Sequence, residues 1–173
     1  MADGLRSYRY VGPAELLETV RPGTEGRVVR SGADLVVGEE PFTYVVDPAG
    51  RLRIAPRRSE HVACAGGGPV LAAGEIGFVV TAAGPSVGEV SNQSTGYCPD
   101  LPSWAAVAAA LDAAGIPRPD GFTHPVVFRR CERCQEHAIV REDDFVCVFC
   151  GADLPLHWNI DPPELRDPVR PAL

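Results

Sequence analysis

Cysteines at positions 131, 134, 147 and 150 constrain this chain more than any other feature. They form two Cys-x-x-Cys pairs, Cys131-Glu-Arg-Cys134 and Cys147-Val-Phe-Cys150, separated by twelve residues. Each pair places two sulfurs on one side of a tight turn, and two facing turns complete a tetrahedron of thiolates. The spacing predicts a small ribbon built around structural zinc, with iron the competing occupant because four-thiolate sites accept either metal. The intervening stretch has room for a hairpin, with strands over 138–141 and 145–147 and Glu142-Asp143-Asp144 as the turn. Gly151, directly after the second pair, is expected to supply a positive backbone angle. Four thiolates fill the coordination sphere and leave no position for a water, so the site is structural rather than hydrolytic. They also make His137 and His157 unnecessary as ligands. So small a module buries little core, and the metal is expected to stabilise it by roughly 10–16 kcal/mol.

The other two cysteines, Cys64 and Cys98, are expected to be small buried apolar residues. Six cysteines with this metal spacing suit a reducing compartment. Met1 to Tyr10 lacks the charged-then-apolar layout of a secretory signal, and no apolar run approaches a bilayer span. A cytoplasmic location without membrane insertion is expected. All sixteen basic residues are arginine and there is no lysine. With abundant Ala, Gly and Pro, this suggests a bacterial genome rich in G and C. It also removes lysine Schiff-base chemistry and the P-loop lysine. The formal net charge of −7 opposes general affinity for nucleic acid or acidic membranes.

Hydropathy patterning predicts an α+β protein, mostly antiparallel β-hairpins with two helices, plus the small C-terminal zinc ribbon. The expected division is an α+β main domain over 1–124, the ribbon over 125–160 and a Pro-rich flexible tail over 161–173. Pro13, Leu16, Leu17 and Val20 mark a short first helix, ended by Pro22 and Gly23. Short β-type runs follow over 26–31, 35–37, 42–47 and 51–55. Asp47-Pro48-Ala49-Gly50 is the turn of a hairpin. Phe42 to Val46 is almost continuously apolar, as for a strand covered on both faces. Further strands are expected over 75–81 and 86–91, with Ala83-Gly84-Pro85 between them. The second helix spans 103–114, with Trp104, Val107, Ala108, Leu111 and Ala114 on one face, and Gly115 and Pro117 stop it.

Three segments carry polar residues beyond what packing asks. They are Arg57 to His61, Gly66 to Glu75, and Ser91-Asn-Gln-Ser94-Thr-Gly-Tyr97-Cys-Pro99. Gathered in a cleft, His61, Glu75, Ser94 and Tyr97 would offer an imidazole, a carboxylate, a hydroxyl and a phenol for acid–base work. Read structurally, His61 is a hydrogen-bonded histidine, Glu75 bonds neighbouring amides, and Ser91 to Pro99 is a turn network.

The order His61, Ala72-Ala-Gly-Glu75, Ser94-x-x-Tyr97-x-Pro99 resembles a domain of plant IQ-motif calmodulin-binding proteins and of bacterial toxin-like proteins. That pattern reads His-Ser-Ser, Ala-Ala-Gly-Glu and Ser-Gly-His-Tyr-x-Pro. His61, Glu75, Ser94 and Tyr97 fall on matching positions over roughly residues 42–115. The serines after the first histidine are Val62 and Ala63 here, and the Gly-His pair is Thr95-Gly96. With no IQ motif in the chain, the resemblance does not imply calmodulin binding.

Three functions fit the sequence. The first is a zinc-binding adaptor for a macromolecular partner, expected to be a protein, through the ribbon and its Pro-rich flank. The second is an enzyme using His61, Glu75, Ser94 and Tyr97 on a nucleotide-like or small polar substrate. The third is nucleic-acid binding through the ribbon, where Arg129, Arg130 and Arg133 cluster beside Glu132, Glu136 and the acidic turn. A solvated edge is the simpler reading of those arginines. Convergence of the four polar side chains in an open pocket would favour the enzyme, and side chains bonded only to backbone, with no cavity, the adaptor.

Overall fold

The computed structural model of the protein describes residues 5–160. The expected tail over 161–173 lies outside the described residues. The chain divides into two compact units, Met1–Val127 and Phe128–Leu173.

The first unit is built on five antiparallel strands, β1 (Arg27–Val28), β2 (Phe42–Val46), β3 (Leu52–Ala55), β4 (Ala72–Thr81) and β5 (Gly84–Val90), in the order β1-β3-β2-β4-β5. The β2–β3 hairpin turns at Asp47, whose carboxylate accepts from the Ala49 and Arg51 amides and from both the Arg51 and Arg53 guanidiniums. Burial works against ionisation there, but these donors outweigh it and hold the carboxyl below its ordinary range. β2 lies at the centre, which explains its nearly continuous apolar sequence. Tyr44 and Val46 join Leu52, Ile54, Ile76, Val107 and Leu111 in the main core. Thr43 and Val45, on the alternate face, are also buried. There Thr43 Oγ1 donates to the Arg57 and Ser59 carbonyls that lead into α1 (His61–Cys64).

α1 is one helical turn in a stretch the sequence presents as polar and then glycine-rich. Gly66 and Gly67 end it at φ of 67° and 85°. The Gly67 amide reaches back to Val62 and the Gly66 amide to Ala63, a Schellman closure that requires the left-handed angle at Gly66. α2 (Trp104–Ala113) ends the same way, with Gly115 bonding Asp112 and Ile116 bonding Leu111. Its buried face is Ala106, Val107, Ala110 and Leu111, and Ala108 is only half-buried. The face is thus rotated from the one expected. In a helix of alanines, side-chain hydrophobicity hardly marks which side meets the sheet, and close approach of small residues decides it.

Several expected elements differ. The first helix is a six-residue 3-10 turn, Ala14–Thr19, with no buried residue. An isolated apolar side without core to pack on does not sustain an α-helix of that length. The run over 35–37 is not a strand, and Leu35 and Val37 pack on the core from irregular backbone. β4 begins three residues earlier than expected, and this brings Ala72, Ala73 and Gly74 into the sheet. Among the described residues, no helix is long and apolar enough to cross a membrane.

The second unit contains a two-stranded sheet of β6 (Val127–Arg130) and β7 (His137–Val140). Around 145–147 the chain makes only isolated bridges, Arg141 with Asp144 and Val146 with Asp153, instead of the expected strand. The first Cys-x-x-Cys turn, or knuckle, is thus framed by β6 and β7, and the second by a bridge to its own downstream chain.

Candidate metal centre

The two Cys-x-x-Cys turns have the same backbone wiring. The Gln135 amide donates to the Cys131 carbonyl at 2.9 Å, and the Cys131 amide to Glu136 at 2.9 Å. In the second turn, Gly151 donates to Cys147 at 2.8 Å and Cys147 to Ala152 at 2.8 Å. These bonds fold each pair so that its sulfurs face the other pair. The four Sγ atoms lie within 4.8 Å of one another. Cys131 and Cys150 are 3.6 Å apart, and Cys134 and Cys147 are 3.7 Å apart. A tetrahedral site with metal–sulfur bonds of about 2.3 Å has edges of roughly 3.8 Å, so the four thiols fit a single metal ion. The cluster contains neither His137 nor His157.

The local electrostatics also favour a cation. The Cys134 amide bonds the Cys131 sulfur and, with the Arg133 amide, outweighs desolvation to hold that thiol down at about 6. At Cys134 the Glu136 amide acts in the same direction. Desolvation and the thiols of Cys147, Cys131 and Cys150 override it and push Cys134 up to about 12. The group titrates as one unit, in which a first thiolate makes the next costly. A bound cation removes that repulsion.

Arg129 does not belong to a solvated basic edge. It is buried and donates to the carbonyls of Pro155, Phe128 and Leu156, with its guanidinium over the Phe145 ring. Arg130 is held at Asn159, which accepts from the Arg130 amide and donates to its carbonyl, both at 2.8 Å. These two arginines tie 155–159 to β6.

In the first unit, His61 Nε2 lies 2.8 Å from the Gly74 carbonyl, which can only accept, so the ring carries its proton on Nε2. Burial pushes the His61 pKa down, against the opposing influence of that carbonyl and of Glu60. Tyr97 donates to the Gly68 carbonyl at 2.7 Å, and burial raises its phenol. Among the described residues, Ser94 Oγ is buried without a hydrogen-bond partner. Glu75 pairs with Ser91 across the sheet: its amide donates to Ser91 Oγ, and its carbonyl accepts from the Ser91 amide.

Glu75 lines a cavity of about 160 Å³ with Pro41, Glu89, Val90, Ser91, Gln93 and His124. His61, Ser94 and Tyr97 are not among its lining residues. Glu89 and His124 are the functional candidates that sequence reading missed. Only strand pairing and the Ser91–His124 bridge bring them beside Glu75, and no local pattern marks them.

The Ala-Ala-Gly-Glu and Ser-Asn-Gln-Ser segments have a packing explanation. Any Cβ on Gly74 would lie 2.0 Å from the Ser91 carbonyl oxygen. That carbonyl also accepts from the Tyr44 hydroxyl at 2.7 Å. Asn92 is buried and fully engaged, bonding Pro99 and both backbone groups of Val126. Cys64 and Cys98 are buried, and burial raises their thiols to about 11 and about 12.

No protein-family model, curated protein or solved structure matches this chain.

Proposed function

We propose that this is a cytoplasmic zinc protein whose ribbon holds one structural Zn2+ at Cys131, Cys134, Cys147 and Cys150. In this reading it acts as a binding or adaptor module for a protein partner. The observation that carries the reading is where the polar groups go. His61 and Tyr97 are bonded to the backbone carbonyls of Gly74 and Gly68, as structural residues are, and the sealed thiolate set offers no position for a reacting water. On this reading the resemblance to the IQ-motif and toxin-like domain is one of scaffold. Burial of Arg129 in carbonyl bonds takes one of three clustered arginines away from any nucleic-acid surface.

A second reading, an enzyme acting on a small polar substrate, is supported by the cavity that Glu75, Glu89 and His124 line together.

Native mass spectrometry of the protein purified gently from its own host tests both. One zinc with a second polypeptide is the expected result. One zinc with a small bound molecule points to the Glu75 cavity. A metal-free chain with reduced thiols overturns the zinc reading.

A further inference from the structure

The two knuckles share their backbone bonds but not their tips. In the first, the residues between the cysteines are Glu132 and Arg133, both exposed and well solvated. In the second they are Val148 and Phe149, 68% and 62% exposed, with Val146 also open to solvent. The turn does not require apolar residues, because the first knuckle closes with charged ones. Turn closure thus does not account for an exposed Val-Phe pair, and exposed aromatic and aliphatic side chains beside an ordered turn are how docking anchors look.

The segment that carries the second knuckle is acidic, while among the described residues the exposed arginines of the unit, Arg133 and Arg141, lie on the first knuckle and just before the acidic turn. From residue 142 to 160 the chain contains Glu142, Asp143, Asp144 and Asp153, all exposed, and no arginine or lysine. Asp153 is the bridge partner of Val146, so a carboxylate sits on the segment paired beside the apolar one. Four metal-bound thiolates would add negative charge. Such a field repels phosphates, acidic lipid and a second copy of a chain of net charge −7, and attracts cations.

We propose that the tip of the second knuckle, Val148 and Phe149 flanked by Val146, docks a partner-protein segment whose apolar side chains are bordered by arginine or lysine. This rests on the adaptor reading and narrows it to one surface and one partner chemistry. Phe149 is the anchor, and Asp153 with the net acidic charge of the segment supplies orientation and association rate.

The test uses the full-length protein with its native metal, and a library of random twelve-residue peptides as the probe. Selected peptides are expected to combine aromatic or aliphatic residues with arginine or lysine. Their affinity should weaken with added salt and fall roughly tenfold or more in Phe149→Ser. Metal content and amide-exchange protection, measured on the same variant, are expected to be unchanged because the side chain is solvent-facing. Val148→Ser serves as the second variant should Phe149→Ser disturb the ribbon.

Four outcomes overturn the proposal. One is selected peptides that are acidic, or indifferent to both tip variants; these leave the adaptor reading standing on another surface. Another is no selection from a metal-loaded, folded protein. A third is peptide binding that appears only after residues 161–173 are removed, which makes the chain's own tail the occupant. The last is a tip-dependent dimer in solution, which makes a second copy the occupant. Loss of metal from the unmodified protein, by contrast, counts against the ribbon reading itself.

Discussion

Gln135 and Gly151 hold the same place in the two knuckles, one residue past the second cysteine, with φ of 66° and 76°. Both amides reach back to the first cysteine's carbonyl, so this left-handed residue closes each sulfur pair. Gln135 bears the strain of a side chain there and is tied by bonds to Arg130 and Glu132. Gly151 has no Cβ to clash. Gly151→Ala is expected to cost about 1–2 kcal/mol, the usual penalty for a side chain in this region. Thermal unfolding of the metal-loaded protein should show a lowered midpoint, and an unchanged one would mean the turn tolerates the angle freely.

Removing the metal should dismantle one unit and spare the other. Chelation, or Cys147→Ser, is expected to abolish amide-exchange protection across 129–156. Protection in β2 and β3, whose core is formed within the first unit, should persist. Retained protection in 129–156 would mean that the ribbon holds together without its ion.

His61 sets a pH dependence. Its folded-state pKa lies below the ordinary value because burial disfavours the imidazolium, so the unfolded chain takes up the proton more readily. The sign follows from linkage: stability is complete above the unfolded pKa of about 6.5 and is lost as pH falls through the lowered folded value. His61→Gln, whose amide can still donate to Gly74, should flatten denaturation midpoints across this window. An equally steep profile in the variant would assign the pH dependence to other groups.

Gly74→Ala should be among the most damaging single changes in the first unit. The added methyl meets the Ser91 backbone, which cannot rotate away, in the middle of the sheet. Overpacking of this kind costs about 1–3 kcal/mol, and displacement of β4 would also break the His61 bond. A denaturant midpoint within error of the parent would show that the strands separate without cost.

Ser94 and Tyr97 separate scaffold from chemistry. A buried hydroxyl without a partner is unfavourable, so Ser94→Ala is expected to stabilise by about 1 kcal/mol. Tyr97→Phe leaves the Gly68 carbonyl without its donor and should cost about 1–3 kcal/mol. Urea unfolding measures both. A destabilised Ser94→Ala would indicate that its hydroxyl has a partner in solution.

The thiol cluster, the Asp47 hairpin, the doubly covered β2 and the end of α2 were legible in the sequence. Each depends on local chemistry: two-residue cysteine spacing, a turn-forming tetrapeptide, a nearly continuous apolar run, a glycine at a helix end. The α+β class with mostly antiparallel pairing was legible for the same reason. What His61, Glu75, Ser94 and Tyr97 do was not, because the answer lies in register. The pairing of β4 with the chain at Ser91 turns the Gly74 carbonyl to the imidazole and places Glu75 beside Glu89 and His124, while Tyr97 turns to Gly68. The fate of Arg129 was equally hidden, since its three carbonyl partners include two lying 26 and 27 residues downstream. Sequence determined these elements and the four-cysteine cluster because short-range geometry suffices for both. Tertiary structure alone decided which polar groups meet, because a one-residue shift in strand pairing reverses every side chain's face.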